Sequence, residues 1–378
     1  MDISYILNEL GEERENYFNA IAPPIIQSSN FAFKNVADFR KGLSDEYYST
    51  LYSRGNNPTV DILRKKLAAL DEAEDALVFG SGIASISIPI LSILKQGDHV
   101  VSVAKPYSWT IKLFEKVLPK FGITTTFIDG TKIENFKNAV QPNTKLIYLE
   151  SPNTFTYELQ DLEAVSTFAK SQRIVTMIDN SYSSPLYQQP YKLGIDLVAQ
   201  SATKFIGGHS DVVAGVVTGS KTMIKKIFDA EFLNIGGNIS PMNAWLLIRG
   251  LRTLPLRQER ICSTTKTVVG FLASHPKVEK VLFPFHPSFP QYELAKKQMK
   301  NAGGLFSIVL KEKSFDGIEK FCNSLRHFFL AVSWGGHESL AIPALVGIKK
   351  EDFDSENIGH RVIRLYVGLE EPDYLIAD

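Results

Sequence analysis

The sequence predicts an α/β fold: a large domain built on a mostly parallel sheet wrapped by helices on both faces, with a smaller α+β domain behind it. Three observations predict it. From about residue 76 to residue 219, short β-rich runs alternate with amphipathic segments, the pattern of strands joined by helical crossovers. The chain has 378 residues, more than one core comfortably serves, so a second unit is expected. Apolar residues make up 44% of it, enough to fill both interiors.

Taken in order, the first fifty residues lack a regular period and hold Pro23-Pro24 and several aromatics, which predicts an extended arm (1–50) packing on something else, with a partner subunit as one candidate. The large domain (51–250) opens with a helix over 60–70. Its candidate strands are 76–79, 99–103, 124–128, 145–149, 174–178, 197–201 and 212–218. Between them, 111–120 and 162–170 carry apolar residues at helical spacing with charges on the opposite face. The apolar stretch 83–94 contains serines and Pro89 and falls short of the roughly 20 residues that cross a bilayer, so it reads as a core helix. Beyond residue 250 a long helical stretch with Arg252, Arg257 and Arg260 leads into strands 278–283, 305–310 and 363–367, the small domain (251–378).

Lys plus Arg equals Asp plus Glu, 41 against 41, so no net field draws the chain toward nucleic acid or an anionic membrane, and a small molecule is the expected partner. The two cysteines, Cys262 and Cys322, lack metal or redox spacing and read as free thiols; the seven histidines show no ligand spacing, so no metal is expected. The start of the chain runs into Glu9, Glu12, Glu13 and Glu15, unlike a secretory signal, and the expected location is the cytoplasm.

The chemistry concentrates around Lys204, in Ser201-Ala202-Thr203-Lys204, and Asp179, which closes an apolar strand run. An amine that condenses with an aldehyde, and an acid that keeps a ring nitrogen protonated, are the two groups pyridoxal phosphate requires. Ser201 and Thr203 alternate with apolar residues, so a continued strand would aim both hydroxyls to one side, where a phosphate could accept from them. Phe79-Gly80-Ser81-Gly82-Ile83 follows a strand and opens a helix, a seat for an anion. A dinucleotide fingerprint is the rival reading, but Ser85 replaces the third glycine and Asp98 precedes its strand instead of ending it. Arg54, beside Tyr52 in a turn before a helix, suits a phosphate; Tyr107, after a strand end, suits stacking on a flat ring; Arg364, inside a strand, needs an anion, either a protein acid or a substrate carboxylate.

These segments together resemble, over nearly the whole chain, the cysteine/methionine-metabolism family of pyridoxal-phosphate enzymes. Six motifs fall in family order: Tyr52-Ser53-Arg54 with Asn57-Pro58-Thr59; Ser81-Gly82; Asp179-Asn180; Ser201 to Lys204; Ser333 with Gly335-Gly336 and Glu338-Ser339-Leu340; and Arg364-Leu365 with Gly368-Leu369-Glu370. The resemblance implies an aspartate-aminotransferase-like large domain (PLP fold type I) and an amino-acid substrate. It implies that Lys204 carries pyridoxal 5'-phosphate, Asp179 pairs with the ring nitrogen, and Tyr107 stacks on the ring. Gly82, Ile83, Ser201 and Thr203 would hold the phosphate, and Ser333 and Arg364 the substrate carboxylate. Tyr52 and Arg54 would reach the phosphate of a neighbouring subunit in a homotetramer, with Lys204, Tyr107 and Tyr52 as the catalytic set.

Within the family, Trp334 beside Gly335-Gly336, Glu150-Ser151-Pro152 without a following Asn-Pro, and the apolar Val332 make the chain most similar to bacterial cystathionine β-lyases. The expected reaction is therefore β-elimination to thiol, pyruvate and ammonia. The Tyr52-Ser53-Arg54 segment is more typical of γ-acting relatives, which are the alternative; a non-catalytic binding protein is a remote third. Thr154 stands where most relatives have a cofactor-contacting asparagine, and Ser108-Trp109 replaces their Gly-Gly.

Overall fold

The computed structural model describes residues 1–378, which form two sheets. The larger has seven strands: β1 (Asp75–Phe79), β2 (His99–Val103), β3 (Thr124–Ile128), β4 (Thr144–Glu150), β5 (Val175–Asp179), β6 (Leu197–Gln200) and β7 (Gly215–Gly219), in the spatial order β1-β7-β6-β5-β4-β2-β3. β3, β2, β4, β5 and β6 are parallel, and β7 is antiparallel to both β6 and β1. Apart from the edge strand β3, both faces are largely buried, which is why these strands read as mainly apolar runs. On β4 the side chains split by parity: Leu146 and Tyr148 join Leu77, Phe79 and Val217 on one face, while Ile147 and Leu149 join Val101, Ile178 and Val198 on the other.

The helices start where local chemistry starts them. Asn57 caps the helix Pro58–Leu70 by accepting from the Thr59 N–H, with Pro58 at the first turn, where its missing donor costs nothing. Ser81 caps Gly82–Ile93 through the Ala84 N–H, setting that helix directly behind β1.

The smaller sheet contains β8 (Val278–Leu282), β9 (Leu305–Leu310), β10 (Phe329–Leu330), β11 (Leu340–Pro343) and β12 (Val362–Tyr366), in the order β10-β11-β12-β9-β8. All its pairs are antiparallel except β10 with β11. The 21-residue helix Leu254–Ser274 leads into it. One continuous core runs from Leu63 and Leu67 through Leu247 and Leu251 to Phe306, Ile308, Ile363 and Leu365, so the two sheets share an interior. No helix is long and apolar enough to cross a membrane.

Four expectations are corrected. The first fifty residues are not wholly irregular: Asp2 and Asn35 cap short helices, Ile3–Asn8 and Val36–Ser44. The expected helix over 111–120 is broken into the α-turn Ser108–Lys112, a π-turn Leu113–Val117 and a 3₁₀ turn Leu118–Phe121, where Pro119 withholds a donor and Gly122 reverses the chain at φ +69°. The strand expected from 212 begins only at Gly215, because both backbone groups of Ala214 are taken by the Thr203 hydroxyl. β10 and β11 were not expected at all.

Candidate active site

The site forms at the carboxyl ends of β2, β4, β5 and β6, where the crevice of an open α/β sheet lies. β6 stops at Gln200, and Ser201 to Gly207 curl into a turn closed by Lys204 N–H donating to Ser201 O at 3.1 Å and Gly207 N–H to Ala202 O at 2.8 Å. The alternation that would align Ser201 and Thr203 along a strand is therefore lost. Ser201 keeps its hydroxyl facing the start of helix Gly82–Ile93: a Cβ on Gly82 would lie 2.8 Å from Ser201 Oγ, so only glycine leaves this gap open. Ile83 occupies the first turn of the same helix. Thr203 instead donates to Ala214 O at 3.1 Å, so its hydroxyl braces the turn.

Lys204 projects from that turn, its Nζ donating to Ser333 Oγ and lying 5.3 Å from the Trp334 ring centroid. Burial, reinforced by the Arg364 charge and opposed by Asp179, brings its amine down to about 8. The loop carrying Ser333 is held close: Gly335 sits at φ +91°, and a Cβ there would lie 2.8 Å from Lys204 Cα, so glycine is demanded both by conformation and by contact. Ser333 itself is in left-handed backbone at φ +79°, a strain of the kind that collects at functional sites.

Asp179 ends β5 beside β6, buried to 9% exposure, and accepts from the Ser181 N–H at 2.9 Å and the Ser181 hydroxyl at 2.6 Å. Burial pushes its carboxyl upward; the Ser181 donors and the Lys204 charge pull the other way. Its neighbour across the strands is Glu150, the last residue of β4, raised by burial and by the Asp179 charge. Glu150 accepts from the Tyr107 N–H at 2.7 Å and the Thr154 hydroxyl at 2.6 Å. Tyr107 starts the short helix after β2, and its phenol is raised by burial and by Asp179 and Glu150.

Arg364, on β12, is half-buried and has no carboxylate partner. Its Nη2 donates only to Ser333 O, at 3.4 Å, and its guanidinium stands 5.0 Å from the Phe155 ring centroid. Burial lowers its pKa, as befits a charge waiting for an anion.

Tyr52 and Arg54 are exposed and stack on each other at 5.4 Å, and no hydrogen bond or ion pair joins either to Lys204, Asp179, Ser201 or Arg364. The structure thus gathers Lys204, Asp179, Tyr107, Ser333 and Arg364 with Gly82 and Ser201, and leaves Tyr52 and Arg54 outside. Glu150 and Ser181 are the residues that sequence reasoning missed as site members. The available signals were a carboxylate one place past the expected strand 145–149, and a serine two places after Asp179, the spacing at which an aspartate accepts from its own chain.

These groups fit a phosphorylated pyridine aldehyde: a low-pKa amine, a buried acid with no cation partner, and a capped helix start with a free hydroxyl. Among known proteins, the model of the family described as Cys/Met metabolism PLP-dependent enzyme matches residues 6–378. An L-methionine gamma-lyase from Fusobacterium nucleatum subsp. nucleatum is 38% identical over 370 residues, covering 96% of this chain and 93% of the relative. A cystathionine gamma-lyase from Sus scrofa is 37% identical over 377 residues, covering 97% and 90%. The crystal structure of metB from Corynebacterium glutamicum superposes with a TM-score of 0.91 at 34% identity, covering 100% of this chain and 96% of that one, and the fold is that of PLP fold type I. The chain belongs to the family of Cys/Met metabolism enzymes that depend on pyridoxal phosphate.

Proposed function

We propose that this enzyme is a carbon–sulfur lyase acting at the γ-carbon of a sulfur amino acid, with methionine and cystathionine as the first substrates to test. The β-elimination expected from the sequence gives way to its alternative, because the relatives named above are gamma-lyases. Two of the residues that suggested β-elimination have contacts or exposure compatible with either reaction. Trp334 packs edge-on against Phe205 at 5.3 Å and walls Lys204, while Val332 is 82% exposed.

The observation that carries the amino-acid reading is Arg364, a half-buried guanidinium beside Lys204 without a protein carboxylate. A substrate carboxylate would supply the missing charge in two parallel hydrogen bonds. Bound pyridoxal phosphate supplies an aldehyde for amine condensation and a ring that takes up electrons when a bond to the α-carbon breaks. Lys204 would hold it, Asp179 would face the ring nitrogen, and Ser201 with the Gly82–Ile83 helix start would face the phosphate. Lys204 Nζ, brought near neutral pH by burial, is suited to take the proton from the α-carbon and, for γ-elimination, a second from the β-carbon. Tyr107 keeps its phenolic proton and can give it to the departing thiolate. The exposed pair Tyr52 and Arg54 would serve a neighbouring subunit's site within a homotetramer.

Product analysis tests the assignment. Cystathionine should yield cysteine, ammonia and 2-oxobutyrate, and methionine should yield methanethiol, ammonia and 2-oxobutyrate; pyruvate and homocysteine from cystathionine would restore the β-lyase reading.

A further inference from the structure

We propose that Glu150 is a positioning residue whose reach, rather than whose charge, fixes Tyr107 where its ring meets the bound cofactor. The proposal rests on the reading of Tyr107 as the ring-facing residue. Glu150 is 6% exposed and joins no ion pair; its oxygens are satisfied by the Tyr107 N–H at 2.7 Å and the Thr154 hydroxyl at 2.6 Å. One side chain at the end of β4 thus bridges the segments that follow β2 and β4.

The Tyr107 ring has little else to hold it. It is 41% exposed, its hydroxyl makes no hydrogen bond, and no aromatic ring packs on it. Its place therefore depends on its backbone, and the Glu150 bond falls on its own peptide nitrogen at the start of helix Ser108–Lys112. A shift there passes directly to the ring. Glu150 stands beside Asp179 across β4 and β5, and burial together with the Asp179 charge pushes its carboxyl up to about 8.

Two near-isosteric variants separate reach from charge. Glu150→Gln keeps the length and removes the titrating carboxyl; Glu150→Asp keeps the carboxyl and withdraws its oxygens by about 1.5 Å, one carbon–carbon bond. The readouts on the full-length holoenzyme are the visible circular dichroism of bound pyridoxal phosphate, kcat and KM, with thermal melting as the control for folding. Glu150→Gln should retain the dichroic band and most of kcat. Glu150→Asp should lose the band and lower kcat roughly threefold to tenfold, the range for losing one ordinary hydrogen bond, with KM little changed. Any pattern in which Asp equals or outperforms Gln overturns the proposal. The dichroic band does not depend on which carbon loses the thiol, so failure here leaves the γ-assignment standing, and pyruvate from cystathionine would leave the Glu150 tether standing.

Discussion

Glu12 is the buried anion of the N-terminal segment, and removing it gives a loss of stability that can be worked from the structure. Its side chain is fully buried, as is that of Lys66, and the two meet at 3.0 Å; Arg252 approaches the same carboxylate at 3.0 and 3.1 Å. Lys66 also donates to the carbonyls of Ile6 at 2.9 Å and Leu7 at 3.2 Å. Glu12→Ala leaves an ammonium in the core with two carbonyls and no anion. Removing one partner of such a buried pair typically costs about 3–5 kcal/mol. The ceiling follows from the alternative of shedding the proton: bringing Lys66 from its ordinary 10.5 to pH 7 takes about 3.5 units at about 1.4 kcal/mol each, about 5 kcal/mol in all. Burial already lowers Lys66, with Glu12 opposing, so the variant should fall further. A base lowered in the fold binds fewer protons folded than unfolded between its folded pKa and 10.5, so stability rises with pH across that window. Urea unfolding at pH 7 and pH 9 should show the variant weaker by about 3–5 kcal/mol at pH 7, with the gap narrowing at pH 9. The double variant Glu12→Ala/Lys66→Met should recover most of the loss. A deficit under about 1 kcal/mol at pH 7, or one that does not shrink with pH, would refute the buried-pair argument.

Four further outcomes follow from the same reasoning. Lys204→Ala should abolish turnover while leaving the melting temperature of the apoprotein nearly unchanged; retained activity would remove Lys204 from its role. Arg364→Gln should lower kcat/KM by roughly tenfold to hundredfold, with the cofactor's absorption intact, and an unchanged kcat/KM would show that the substrate carboxylate binds elsewhere. Asp71 is buried, bound by Gln200 at 2.8 and 2.9 Å and by Thr218 at 2.8 Å, and burial pushes it up to about 7. The fold therefore holds a proton that the unfolded chain gives up from about pH 4; stability should fall as pH rises from about 4 to 7, and Asp71→Asn should flatten that slope in a melting series. Gly335→Ala places a methyl 2.8 Å from Lys204 Cα at a φ of +91° and should cost about 1–3 kcal/mol along with cofactor retention, measured by melting and absorption.

The large sheet was legible because its inner strands are buried on both faces and carry apolar runs such as 146–149. The limits of legibility lie where tertiary contacts override local pattern. Nothing in Ser201-Ala202-Thr203 announces that the strand ends at Gln200; the turn is fixed by the Thr203 hydroxyl meeting Ala214, eleven residues on. β11 was hidden because Leu340–Pro343 is a short strand with Pro343 at its end, paired to β12 residues 20 to 26 places later. At the site, Lys204, Asp179 and Arg364 were visible as charges in apolar surroundings. Glu150 carried a similar signal, a carboxylate closing an apolar strand, but its partners are a backbone N–H and a threonine hydroxyl, which leave no spacing in the sequence to mark its role. The leaving-group position was less legible: Trp334 was read as a marker of substrate, and its ring packs on Phe205 and faces Lys204, while the relatives favour the γ-acting alternative.

The charges of the site make one further point about how it works. Lys204 and Arg364 are both shifted toward their neutral forms by burial, and so are Asp179 and Glu150, yet none of the four forms an ion pair with another side chain. A fold selected for stability alone would close these gaps, since each unpaired buried charge is a liability of a few kcal/mol. On the proposed reading, two of them await groups that arrive from outside: Asp179 would face a ring nitrogen and Arg364 a carboxylate. Binding would then supply the counter-charges the protein withholds, so cofactor and amino acid should each raise the melting temperature, and Asp179→Asn should weaken the stabilisation by pyridoxal phosphate while leaving the apoprotein as stable as before or more so. Equal stabilisation by the cofactor in Asp179→Asn and in the wild type would mean that the buried acid has some other partner.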